Sequence, residues 1–265
     1  MEIVLSIAGS DPSAGAGIQQ DLKTMTALGC YGATVITALT TQNTLGVQDT
    51  MPVPKQTVAS QLKAVLEDFD VKCIKIGQIP NGEVARVIVD ILQEKLQESG
   101  HRIPIVYDPV MVSTSGRRLM EADCMVYVQQ HLLPLCFLIT PNIPEAEQLL
   151  GHRLEDETAY RQAGAELAKH YATHVLLKGG HTKGNEVNDR LFLTNGSVME
   201  YPGTKIETKN LHGTGCTLSS AIASHLAQGY SLEDAVRQAK DFVATAILHS
   251  RHLHIGHGNG PIWNF

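Results

Sequence analysis

The chain has no two cysteines spaced to act as a pair. Cys30, Cys73, Cys124, Cys136 and Cys216 are odd in number and far apart. Without CxxC or CxxxC spacing, neither a disulfide framework nor a cysteine-based zinc site is favoured. No apolar run reaches the roughly 18 residues that a membrane span needs. The first eleven residues, MEIVLSIAGSD, are apolar for only a few positions and carry no basic leader. They read as a first strand rather than a signal peptide, and the default compartment is the cytoplasm. Positive charge is in deficit too. With 21 Lys and Arg against 27 Asp and Glu, the net charge is −6, the wrong sign for sequence-independent binding of nucleic acid. There is no Pro/Ser-rich linker, low-complexity tract or internal repeat, so a single domain, 1–265, is expected. Two nucleotide signatures are also missing. The glycine loop from Gly9 to Lys23 has neither the GxGxxG of dinucleotide sites nor the GK[ST] ending of a P-loop.

What the chain does have is alternation. Val- and Ile-rich runs predict strands at Ile3–Ala8, Ala33–Leu39, Lys72–Ile76, Ile103–Tyr107, Phe137–Thr140 and His174–Leu177. Helical patterns lie between or beside them, at Gly17–Leu28, Lys55–Phe69, Gly82–Glu98, Glu121–His131, Pro144–Leu150 and Glu157–His170. Such β-α-β units make an α/β fold with a mainly parallel sheet covered on both faces. After Arg190 the pattern becomes a hairpin turning at Asn195-Gly196. Two helices follow. One begins at the turn Gly213-Thr214-Gly215 and ends near Gln228-Gly229. Ser231 is the N-cap of the other, with Glu233 and Asp234 in its first turn.

In open α/β sheets, ligands bind beyond the carboxyl ends of the strands. The predicted strands run there into Gly9-Ser10-Asp11, Thr41-Gln42-Asn43, Gly77-Gln78, Asp108-Pro109, Thr140-Pro141-Asn142 and Lys178-Gly179-Gly180. The most informative stretch is HGTGCTLSS, residues 212–220. Gly213, Thr214 and Gly215 lead into a small-residue helix that opens with Cys216. Unpaired N–H groups at a helix start carry partial positive charge, and glycines let a phosphate approach them. The segment reads as an anion hole with a thiol at its mouth, or else as an ordinary helix start beside a buried cysteine. Gly15 and Gly17 permit close approach to a ligand, and Asp21 follows in the next helix. Asn142 and Glu145, three residues apart, suit a water-rich Mg²⁺ site or a helix cap. Lys178 either reaches a phosphate or is solvated at its strand end.

Six segments together carry a resemblance: GSDPSAGAGIQQDLK (9–23), TQN (41–43), DPVM (108–111), TPNIPEAE (140–147), LKGGH (177–181) and TKNLHGTGCTLSSAIA (208–223). The chain resembles the bacterial hydroxymethylpyrimidine/phosphomethylpyrimidine kinases of the ribokinase superfamily, from the first strand to GHGNGP at 256–261. The resemblance implies a three-layer α/β/α ribokinase-like fold with a small β-flap, and a homodimer. It implies ATP-dependent phosphorylation of 4-amino-5-hydroxymethyl-2-methylpyrimidine and then of its monophosphate, for thiamine synthesis. Gln42 would hydrogen-bond the aminopyrimidine, with Gly9, Ala16 and Val110 lining the pocket and Asp21 close by. Asp108, Asn142 and Glu145 would organise Mg²⁺ through waters. Lys178 and Thr208 would contact nucleotide phosphates. Cys216 would be the base for the substrate hydroxyl, its thiol acidified by the helix N-terminus. Sugar kinases of the superfamily typically carry an Asp there.

Two residues depart from the family pattern. Ala14 stands where a further Gly is usual, and Gln78 where Met is expected. A second amide at the pocket could admit a different ring, so a pyridoxal kinase on the same scaffold is the alternative. A non-catalytic vitamin-binding protein would have little use for phosphate chemistry. His181 and His212 flank the phosphate segments, as structural or catalytic residues alike.

Overall fold

Fully apolar strands need cover on both sides, and the protein supplies it. The computed structural model describes residues 1–98, 103–113, 116–179 and 187–265. The strands are β1 (Ile3–Ser10), β2 (Tyr31–Asn43), β3 (Gly46–Pro52), β4 (Val71–Ile76), β5 (Ile105–Tyr107), β6 (Leu138–Ile139), β7 (His174–Leu177), β8 (Asp189–Phe192) and β9 (Val198–Tyr201). They form one sheet in the order β3-β2-β1-β4-β5-β6-β7-β8-β9. From β2 to β7 the neighbours are parallel, while β3, β8 and β9 join antiparallel at the two edges.

Alternate strand residues feed two cores. Leu5, Ile7, Ile74, Ile76, Ile105 and Ile139 pack under α2 (Lys55–Asp68), α3 (Gly82–Glu98), α4 (Ala122–Tyr127), α5 (Ile143–Leu150) and α6 (Glu157–Tyr171). Val4, Cys73, Val106, Leu138 and Leu176 pack on the other side, under α1 (Gly17–Ala27), α7 (Thr214–Ala227) and α8 (Leu232–Ser250). The expected three layers are therefore present. Ser231 caps α8 as read from sequence, its side chain accepting from the N–H of Asp234.

Two expectations need correcting. Thr41, Gln42 and Asn43 lie on β2 itself, not in a loop after it. They pair with β3, which the sequence did not announce because GVQDTMP is polar and largely exposed. The pair forms the small flap at the sheet edge. The helix expected over Glu121–His131 stops at Tyr127. A π turn (Val128–Leu132) and a 3₁₀ turn (Leu133–Leu135) complete the segment. Pro134 lacks the N–H that a continuing helix requires.

The C-terminal segment ties the flap to the rest. Thr44 Oγ1, at the flap tip, accepts the N–H groups of His257 and Gly258 (3.1 Å each). A Cβ on Gly258 would lie 2.1 Å from Thr44 O, so the close approach requires glycine. Further on, the His212 N–H donates to Gly260 O and the Ile262 N–H to His212 O.

Ala14 has φ 58°, in the left-handed region that disfavours a Cβ. Ala14→Gly is expected to raise stability by about 0.5–1 kcal/mol, strain relief exceeding the added chain entropy. Urea unfolding midpoints of the two proteins would measure it. A lower midpoint would show that the loop relaxes around the methyl group at no cost.

Candidate active site

Two glycine segments meet at the carboxyl edge of the sheet. Gly213 caps α7 with φ 88°, and a Cβ there would lie 1.9 Å from Gly15 O. A Cβ on Gly15 would lie 2.3 Å from the His212 ring. The first loop and the turn before α7 are thus in backbone contact. α7 begins at Thr214, so Cys216 is its third residue rather than its first. The Thr217 N–H takes Gly213 O. The N–H groups of Gly215 and Cys216, just before it in the first turn, have no intrahelical acceptor.

Charge is gathered against this helix end. A Cβ on Gly215 would sit 3.1 Å from Asp108 Oδ2 and 3.7 Å from Lys178 Nζ. Lys178 Nζ donates to Asp108 Oδ1 at 2.7 Å and lies 3.9 Å from Glu145 Oε2. Thr140 Oγ1 donates to the same Asp108 oxygen at 3.1 Å. Burial pulls the Lys178 ammonium down, but Asp108 and Glu145 outweigh it, so the lysine stays charged. Burial pushes Glu145 up to about 7, against the pull of Lys178. Asn142 and Glu145 form a capping box: Asn142 Oδ1 accepts the Glu145 N–H and Glu145 Oε2 the Asn142 N–H. The cap is real, and it also fixes Glu145 beside Lys178 and near Asp108. No three His, Cys, Asp or Glu side chains among the described residues are placed to hold a metal ion by themselves. Two buried carboxylates still fit Mg²⁺, which keeps several waters and leans on substrate phosphates. Gly180 and His181 lie outside the described residues.

The Cys216 thiol is pushed up to about 11. Burial is the main cause; Lys75 opposes it, Asp21 and Asp108 add to it, and the N–H of Gly17 also opposes it. The expected acidification by the helix N-terminus is outweighed by loss of water. Asp21 faces inward rather than into the cleft. Its side chain and that of Lys75 are both 0% exposed, and Lys75 Nζ bridges its two oxygens at 2.7 and 2.8 Å. Ser6 and Ser220 donate to the same carboxylate at 2.5 and 2.7 Å. Lys75 was missed from sequence, although a lysine inside the apolar strand VKCIKI asks for a buried partner.

The rest of the cleft is assembled from loop ends. A Cβ on Gly9 would lie 2.2 Å from Gln78 Oε1, so Gln78, which is buried, packs on that glycine. Ala16 and Val110 are half-buried. Gln42 Nε2 lies 3.0 Å from His212 Nε2 and 3.4 Å from Asp11 Oδ2. Asp11 was read only as a loop residue, yet it is 3% exposed and organises the first loop. Thr208 Oγ1 accepts the N–H of Asn210, which the carbonyls of Ser250 and Leu253 hold in place. A groove of about 450 Å³ beside β9 and α8, lined by Met199, Tyr201, Pro202, Arg237 and Lys240, contains none of these residues.

Comparison with known proteins shows the family. A family model described as phosphomethylpyrimidine kinase matches residues 11–263. A hydroxymethylpyrimidine/phosphomethylpyrimidine kinase of Rhizobium meliloti (strain 1021) is 46% identical, over 99% of this chain and 97% of its own length. The crystal structure of phosphomethylpyrimidine kinase from Clostridium difficile 630 superposes with TM-score 0.80 at 40% identity, covering 93% of this chain and 100% of that one. A pyridoxal kinase from Staphylococcus aureus, in complex with AMP-PCP and pyridoxal, gives 0.85 at 31% identity, over 99% of this chain and 93% of that one. The ribokinase-like α/β/α fold read from the sequence is the fold of these neighbours.

Proposed function

The chain belongs to the phosphomethylpyrimidine kinase family, and from that premise we propose that phosphate is transferred at the glycine-capped start of α7, beside Asp108 and Lys178. The protein is a hydroxymethylpyrimidine/phosphomethylpyrimidine kinase. It phosphorylates 4-amino-5-hydroxymethyl-2-methylpyrimidine and its monophosphate for thiamine diphosphate synthesis, with ATP as donor.

The observation that carries the site assignment is the glycine-capped start of α7 set against the Asp108–Lys178 pair. Phosphoryl transfer is mostly positioning and charge stabilisation. The N–H groups of Gly215 and Cys216 and the ammonium of Lys178 supply positive charge where the transferred group gains negative charge. Gly213 and Thr214 shape the turn. Asp108 and Glu145, with Asn142 holding Glu145, would hold Mg²⁺ through waters, and the ion would neutralise phosphate charge. Cys216 Sγ, as thiolate, takes the hydroxyl proton as the new O–P bond forms and the bond to the ADP oxygen breaks. Gln42 reads the pyrimidine, with Gly9, Ala16, Val110 and Gln78 around it, and Asp21 ties α1 to β1, β4 and α7 beneath them. Thr208 contributes a hydroxyl to the nucleotide side.

We read the chain as one kinase domain, 1–265, acting as a cytoplasmic homodimer on small molecules, without nucleic-acid or membrane partners. The net charge of −6 supports the absence of a nucleic-acid partner.

A coupled ATP-turnover assay with Mg²⁺ tests the substrate, comparing hydroxymethylpyrimidine, its monophosphate, pyridoxal and ribose. Turnover of both pyrimidines is expected, well above that of ribose. Preference for pyridoxal would overturn the assignment and make Gln78, packed on Gly9, the residue to replace.

A further inference from the structure

Gln42, Asp11 and His212 come from the far end of β2, the loop after β1 and the turn before α7. His212 Nε2 lies 2.9 Å from Asp11 Oδ2 and 3.0 Å from the nearer end of the Gln42 amide. Three polar groups this close restrict where protons can be. If Nε2 carries a proton, it donates to Asp11, and an amide NH₂ facing it would set donor against donor. The amide then turns its oxygen to the ring and shares that one proton with Asp11, giving up the long 3.4 Å contact of its NH₂ to Asp11 Oδ2. If Nε2 is bare, it can accept from the amide, but Asp11 faces a lone pair at 2.9 Å.

Two observations select the first arrangement. The contact to Asp11 is the shorter one and is charge-assisted. Burial alone would raise the Asp11 carboxyl, yet hydrogen bonds from His212 and Ser13 hold it below its usual range. Thr40 gives the second. Its Oγ1 donates its one proton to Ser10 O at 3.0 Å, and lies 3.3 Å from the other end of the Gln42 amide. Only lone pairs remain for that contact, so the amide must present NH₂ there.

Neither anchor can swing away. Asp11 also accepts the N–H of Ser13 (2.8 Å), the Ser13 hydroxyl (2.7 Å) and the N–H of Ala16 (2.9 Å). His212 is held on both sides of its backbone by Gly260 and Ile262.

We propose that Asp11 and His212, with Thr40, are positioning residues that fix which end of the Gln42 amide meets each edge of the pyrimidine. The amide NH₂ has one hydrogen left for a ring nitrogen, and the amide oxygen one lone pair left for the adjacent amino group. The inference rests on the reading of Gln42 as the residue that contacts the pyrimidine.

A double-mutant cycle on the KM for hydroxymethylpyrimidine at saturating ATP tests it. Gln42→Ala is expected to raise KM by about tenfold and His212→Ala by about fivefold. The double variant should be no worse than Gln42→Ala alone. His212→Gln, which keeps a donor near Nε2, should return KM to within about twofold of the unmodified enzyme. Thr40→Val should raise KM about threefold, and only when Gln42 is present. It supplies the cycle if His212→Ala does not fold. Penalties that multiply in the double variant, or a KM unmoved by His212→Ala in folded protein, would overturn the inference and leave the role of Gln42 intact. An unmoved KM in Gln42→Ala would overturn both.

Discussion

Cys216→Ala is expected to lower kcat for hydroxymethylpyrimidine about 100-fold or more, the usual range for loss of a positioned base, with the KM for ATP little changed. Thr214 and Gly215, not the thiol, carry the turn that receives phosphate. The thiol stands at about 11 because burial disfavours the charged form. At pH 7 the thiolate is then about one part in ten thousand, and its share grows about tenfold per pH unit. The sign follows: kcat should climb with pH between about 7 and 9 and show no plateau until near the thiol pKa. So small a population can serve because the transition state is loose and the hydroxyl proton leaves late. Cys216→Ser keeps the size, lacks a usable base, and should be as slow as the alanine variant. Near-normal turnover in Cys216→Ala, with a flat pH profile, would remove the base role and leave the step to the helix N-terminus and Lys178.

Much of this site was legible because it depends on residue types with few alternatives. Glycines at 213 and 215 were readable as close-approach positions: a Cβ at 213 would lie 1.9 Å from Gly15 O, which leaves no room for a side chain, and one at 215 would fit tightly, 3.1 Å from Asp108 Oδ2. The strand ends Asp108, Asn142 and Lys178 were readable from apolar runs that stop at polar residues. What was not legible depended on neighbours distant in sequence. β3 has no apolar face to betray it, since its order comes from pairing with β2. Asp21 looked like a cleft residue because position in a loop-to-helix segment says nothing about which way a side chain faces. Its partners Lys75 and Ser220 are 54 and 199 residues away. The thiol of Cys216 was misjudged for the same reason. A helix dipole is readable from sequence, but the burial that outweighs it is not.

Lys75→Met should show the largest loss of stability, about 3–5 kcal/mol, the cost of leaving a buried charge without its partner. The methionine fills the space of the lysine stem, so cavity formation is a minor part. What remains is the Asp21 carboxylate at 0% exposure with only the hydroxyls of Ser6 and Ser220 to face. Two hydroxyl donors do not replace an ammonium that bridges both oxygens. For a chain of this length the loss corresponds to a fall in Tm of about 6–20 °C. Adding Asp21→Asn to Lys75→Met removes the stranded charge, and the double variant should recover most of the difference, since an isolated buried pair contributes little net stability over neutral groups. Thermal unfolding of the two variants beside the unmodified protein measures both effects. If Lys75→Met costs less than about 1 kcal/mol, the range of an exposed pair, then water reaches Asp21, and the pair does not bind α1, β4 and α7 together beneath the cleft. If the double variant is no better than the single one, the penalty comes from packing of the lysine stem, and the charge on Asp21 is not what the fold must neutralise.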